Sequence, residues 1–128
     1  MRDVRENPDL PYAAHTAGRN SYAAGLSIMA MKDAHPHDFG SYPMRPEAID
    51  TMCALAAKLA AFYTIPVDAN HIMTHAEAAM IDGYFGTAPE ERWDIARLAP
   101  SAQLLLPHDA LVTGEALRRR IGDHRKKL

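Results

Sequence analysis

The stretch YAAGLSIMAM, residues 22–31, decides between an all-helical chain and one with a sheet. It is a ten-residue, mostly apolar run between polar, turn-rich segments. A short run of this kind suits a buried strand, although periodicity alone does not separate it from a buried helix. Before it, residues 1–21 are polar and carry turn signals at Asn7-Pro8, Leu10-Pro11 and Ala17-Gly18. After it, Lys32 to Pro43 is a loop rich in His, Asp, Gly and Pro.

The clearest helix follows, over Pro46 to Tyr63. Ile49, Met52, Cys53, Ala56, Leu59, Ala60 and Tyr63 recur at helical spacing on one face. Glu47, Asp50, Thr51 and Lys58 fall on the other. Pro46 suits the first turn, where a missing N–H leaves no bond unmade, and Ile65-Pro66 closes the element. Next, His71-Ile72-Met73 is expected to be a short strand that enters a helix at Thr74. The capping-box spacing of Thr74 and Glu77 supports that start, and the helix is expected to run to Ile81 before Asp82-Gly83. A last helix is expected over Gly114 to His124, with Thr113 as its cap and Leu117 and Ile121 facing inward. Arg118, Arg119, Arg120, Arg125, Lys126 and Lys127 are read as its solvated basic end.

Composition bounds the function. The 128 residues suit one domain, and 48% hydrophobic content is that of a globular protein. Aromatic residues make up only 7%, and much of the apolar share is alanine, so the core is expected to be thin. A net charge of −2 argues against a broad electrostatic grip on nucleic acid. The single cysteine, Cys53, excludes an internal disulfide and an all-cysteine zinc site. The sequence has no apolar run of the roughly 20 residues a bilayer span needs, and the charged amino terminus does not read as a signal peptide.

The candidate chemistry lies between His71 and Asp94. His75, at the start of a helix, can present a neutral imidazole to an ion such as zinc. Asp94, 19 positions later, can supply an oxygen ligand. Arg92 shares its direction if that segment is extended, and a guanidinium there could stabilise an oxyanion. The plainer alternatives are a backbone-satisfied histidine and a surface Arg92–Asp94 ion pair of little energetic weight. His71 lies four residues before His75, but the expected strand separates their directions. His15, His35, His37, His108 and His124 have no partner spacing and are expected to be exposed.

Taken in order, several of these segments resemble the type-2 N-acetylmuramoyl-L-alanine amidases, the superfamily of phage lysozyme-type amidases and peptidoglycan recognition proteins. Ala14-His15-Thr16-Ala17-Gly18-Arg19-Asn20-Ser21 is similar to the loop that leads into the family's central strand. Tyr63-Thr64-Ile65-Pro66 resembles its helix end, Met73-Thr74-His75-Ala76-Glu77 its strand-end histidine, and Arg92-Trp93-Asp94 its closing triplet. The resemblance covers residues 11–98, with 99–128 left as a carboxyl-terminal loop and basic helix.

The resemblance implies an α/β fold, a central mixed β-sheet flanked by helices. It implies zinc as cofactor, held by His75 and Asp94, Arg92 as a catalytic residue, and His15 and Asn20 lining the substrate groove. The implied reaction is hydrolysis of the amide between N-acetylmuramic acid and L-alanine in peptidoglycan. The protein would be cytoplasmic until released, and would act at the bacterial cell wall.

This chain departs from the family in specific ways. The family's first histidine ligand and its catalytic tyrosine have no counterpart here, and Ser27 stands where one branch has a glutamate. The domain is therefore expected to be amino-terminally shortened and its sheet incomplete on that side. A non-catalytic peptidoglycan-binding module is the alternative reading. A small helical interaction protein using the basic end is a third, disfavoured by the overall charge.

Overall fold

The computed structural model describes residues 16, 18, 19, 21–89 and 91–128. Three helices order the chain: α1 (Pro46–Phe62), α2 (His75–Asp82) and α3 (Pro107–Lys126). There is no β-strand among the described residues, only two isolated bridges, His35 with Asp38 and Phe85 with Arg92. The expected central mixed β-sheet is therefore overturned.

The stretch 22–31 shows why. A strand needs a neighbour to take its backbone groups, and no described segment runs alongside this one. Tyr22 and Met31 both take left-handed backbone, φ 58° and 68°, which breaks extension at each end. Met31 N–H donates to the Tyr42 carbonyl at 2.6 Å, so the segment closes a loop instead of a ladder. Its side chains are mostly exposed, with Met29 fully so, while Ile28 packs against the core. The expected strand at 71–73 fails for a different reason. Asp68 organises a turn, its carboxylate accepting from the amides of Asn70 (2.9 Å) and His71 (3.0 Å) and its carbonyl from Ile72 N–H (3.0 Å).

The helices follow their sequence signals more closely. Pro46 begins α1, and Ile49, Cys53, Ala57 and Ala60 are its buried positions. Ile49, Cys53 and Ala57 meet Leu117 and Ile121 of α3, with Met52, Ala56, Ile28, Val67 and Leu98 packed around them. Tyr63, expected on the inner face, lies past the helix end and is exposed. For α2, Thr74 Oγ1 accepts from Glu77 N–H at 3.1 Å and the Glu77 carboxylate accepts from Thr74 N–H at 2.9 Å. Gly83, φ 85°, then ends α2 in the left-handed conformation that glycine adopts without steric cost.

The main helical correction concerns α3, which starts at Pro107, seven residues before the expected start. Pro107 occupies the first turn, and the Asp109 carboxylate accepts from Leu106 N–H at 2.8 Å. Thr113 is therefore not a cap. It is buried inside the helix, and its hydroxyl donates to the Ala96 carbonyl at 2.6 Å.

Helix α3 packs on both α1 and α2, which do not pack on each other. Its contact with α2 includes a buried ion pair. Arg118, expected at a solvated end, has its side chain only 8% exposed, and that of Glu77 is 4% exposed. The guanidinium spans both carboxylate oxygens at 2.9 and 3.0 Å and also donates to the Ile72 carbonyl at 3.0 Å. Gly114 leaves room for this pair, because a Cβ there would collide with the Glu77 carboxyl group.

Two outcomes test this packing. The Cys53 thiol is fully buried, and burial raises its pKa. It should resist a thiol-specific reagent in native buffer and react once denatured; fast native labelling would contradict the α1–α3 core. Gly114→Ala should cost about 1–3 kcal/mol by urea unfolding, because the ion pair must shift to admit the methyl group. An unchanged midpoint would show that the helices do not meet there.

Candidate functional site

The site is assembled by the chain reversal after α2. Gly83 turns the backbone, and Tyr84 N–H donates to the Ala79 carbonyl at 2.9 Å. The following loop then closes on itself. Arg92 N–H donates to the Tyr84 carbonyl at 3.0 Å, and Gly86 N–H to the Arg92 carbonyl at 3.2 Å. Residues 92–94 are thus carried back beside Tyr84 and the start of α2.

His75, the first residue of α2, meets this returning segment. Its Nδ1 lies 3.1 Å from Oδ2 of Asp94. The two side chains are 22% and 55% exposed, so the pair sits at the surface with the imidazole more enclosed. The Tyr84 ring stands edge-on to the imidazole, with centroids 6.2 Å apart. The Tyr84 hydroxyl is buried and has no hydrogen-bond partner among the described residues. Burial raises its pKa, and the nearby Asp82 and Asp94 carboxylates act in the same direction.

The geometry can be tested against zinc. Two ligand atoms at ordinary zinc distances and a tetrahedral angle stand about 3.4 Å apart. The observed 3.1 Å is close to that separation, and both donors are of types zinc accepts. Among the described residues no group of three His, Cys, Asp or Glu side chains that could hold a metal ion is present, so His75 and Asp94 fall short of the three protein ligands of a catalytic zinc. The same separation also suits an ordinary His–Asp hydrogen bond.

Arg92 is placed less directly than the sequence suggests. One guanidinium nitrogen donates to the carbonyls of Pro89 (3.1 Å) and Glu91 (3.0 Å), which ties the side chain to its own loop. Arg92 and Asp94 nevertheless line one open cavity of about 410 Å³, together with Trp93, Met31 and Ala34. His71 is paired with Asp68 at 2.7 Å, which lowers the Asp68 pKa, and it does not join His75. His15 and Asn20 lie outside the described residues.

Two side chains near the site were not singled out from the sequence. One is Tyr84, whose buried hydroxyl no local pattern announces. The other is Arg19, whose guanidinium forms a two-pronged contact with the Asp82 carboxylate at 2.6 and 2.8 Å. This contact fastens the loop preceding the 22–31 stretch to the last residue of α2. Comparison with family models, with curated proteins and with solved structures returned no match for this chain.

The Arg19 contact carries a pH dependence of known sign. Its hydrogen bonds lower the Asp82 pKa. The contact therefore contributes above the ordinary aspartate range and is lost as pH falls through the lowered value. In an acid titration, the side-chain NMR signal of Arg19 should stay shifted until below the usual aspartate pKa of about 4. Asp82→Asn should abolish the shift at every pH. A shift that persists in that variant would contradict the contact.

Proposed function

We propose that this chain is a zinc-dependent amidase of the N-acetylmuramoyl-L-alanine amidase type, acting on peptidoglycan at the bacterial cell wall. The observation that supports this most is the approach of His75 and Asp94, far apart in sequence, to 3.1 Å beside an open cavity lined by Arg92. The ordered resemblance of residues 11–98 to that family supplies the reaction.

His75 and Asp94 would hold the ion. A bound zinc supplies Lewis acidity, polarising the amide carbonyl and acidifying water. The Thr74–Glu77 capping box fixes the backbone that carries His75. Asp94 contributes a carboxylate whose negative charge favours a cation. Arg92 supplies positive charge at the cavity wall, where the carbonyl oxygen of the scissile amide gains negative charge as the bond is attacked. Its contacts with the Pro89 and Glu91 carbonyls, the ones seen among the described residues, both use one guanidinium nitrogen.

A wall-binding module without hydrolysis is favoured by one observation: the described residues include no group of three His, Cys, Asp or Glu that could hold a metal ion. Among those residues no helix is long and apolar enough to cross a membrane.

Purified cell walls incubated with zinc and this chain should release peptides with a new L-alanine amino terminus, read by mass spectrometry. Chelation, His75→Ala and Asp94→Asn should each abolish release, and Arg92→Ala should slow it by about 10²–10³-fold. Sedimentation with the walls without cleavage would support the binding module instead. Neither binding nor cleavage would end both readings.

A further inference from the structure

Trp93 falls between Arg92 and Asp94 in the chain and lines the same open cavity. Its ring lies against that of Phe39, with centroids 6.1 Å apart, and Phe39 is only 4% exposed. The indole is thus backed by the protein interior, while the residue itself stays half-buried. A broad apolar ring with a polar N–H, held still at a cavity wall, can receive a ligand that is itself part apolar and part polar.

The rest of the cavity narrows the class of ligand. Its volume of about 410 Å³ lies within the range of small-molecule sites, roughly 300–1,000 Å³. Around Trp93 it is lined by Thr87, Glu91 and Arg92, and by Ala30 and Ala34. Gly86 leaves room for the Glu91 carboxylate, with which a Cβ there would collide. Both walls are set before a ligand arrives, which lowers the ordering that binding requires. On one wall, Met31 N–H donates to the Tyr42 carbonyl at 2.6 Å and Ala34 N–H to the Met31 carbonyl at 3.1 Å. On the other, Glu91 N–H donates to the Ala88 carbonyl at 2.9 Å and Ala96 N–H to the Trp93 carbonyl at 2.6 Å. Met31 and Asp33 hold left-handed backbone, φ 68° and 59°, and such strain in residues other than glycine gathers at ligand sites.

An extended peptide would draw its affinity from unpaired backbone groups along an edge. Here the amides of Met31, Ala34, Glu91 and Arg92 are already committed to bonds within the protein. Recognition therefore falls to side chains. An indole suits the C–H face of a sugar ring, a carboxylate and a hydroxyl suit its hydroxyl groups, and alanine methyls suit an acetyl group. We propose that Trp93 is the platform on which this cavity binds an N-acetylated amino sugar. Placing that sugar beside the scissile amide rests on the amidase reading, whereas the binding itself does not.

Trp93 is the only tryptophan of the chain, so its emission reports on this cavity alone. The tetramer of N-acetylglucosamine should change that emission saturably and shift the indole Nε1–H signal in NMR. The stem peptide without sugar should do neither, and the glucose tetramer, which lacks acetyl groups, should bind less tightly. Trp93→Ala, read by calorimetry on protein whose helical content and urea midpoint show it folded, should weaken binding of the N-acetylglucosamine tetramer by about tenfold or more. Trp93→Phe, which keeps an aromatic face, should weaken it less.

A response to the stem peptide alone, no response to the N-acetylglucosamine tetramer, or undiminished binding by folded Trp93→Ala would each overturn the inference. Wall cleavage with an unchanged KM in Trp93→Ala would also overturn it and leave the amidase reading standing. Saturable binding of the N-acetylglucosamine tetramer without any release of peptides from walls would end the amidase reading and uphold the sugar platform.

Discussion

The Glu77–Arg118 ion pair is the constraint on which the arrangement of α2 and α3 depends. Taking two charges out of water is expensive, and mutual attraction repays that only with good geometry and satisfied neighbours. Here both conditions hold. The Glu77 carboxylate accepts from Arg118 and from Thr74 N–H, while Arg118 also reaches the Ile72 carbonyl. Removing either partner would strand the other charge in a nearly dry place. Gly114 keeps α3 close enough for this contact, so a glycine inside a helix, ordinarily a local cost, serves packing here.

The pair matters because α2 has little else. Its eight residues are too few for a helix to persist in water unaided. It makes no packing contact with α1. Its stability comes from the capping box at one end, Gly83 at the other, and α3 beneath. The loop that follows is organised by a second buried cation. Arg97 donates to the carbonyls of Pro36, Ser101 and Gln103, at 3.1, 3.1 and 2.8 Å, and joins two stretches that have no regular structure. With a core largely of alanine, such charge-assisted bonds to backbone take over work that bulky side chains do elsewhere.

What the sequence disclosed divides along the same line. Helix α1 was legible from the 3–4 spacing of its apolar face, and α2 from Thr74 and Glu77, because both signals are local. The pairing of His75 with Asp94 was also legible as two donors worth comparing. Among the described residues there is no sheet to be found: residues 22–31 have the composition of a strand, but composition supplies no partner, and Tyr22 and Met31 turn the chain away. The early start of α3 was marked by Pro107 and Asp109 but obscured by the apolar, non-helical Leu104-Leu105-Leu106 before them. Arg118 looked like one cation in a basic run. Only the fold distinguishes it from Arg119, which is 77% exposed.

The proposed amidase chemistry requires that His75 and Asp94, which face one another at 3.1 Å, share a cation. Anomalous diffraction at the zinc edge, from crystals of this chain grown with zinc, tests it most directly. The account expects a peak within about 2.0–2.2 Å of both His75 Nδ1 and an Asp94 carboxylate oxygen. A map with zinc only at other sites, or with these two side chains turned to opposite surfaces, would contradict it.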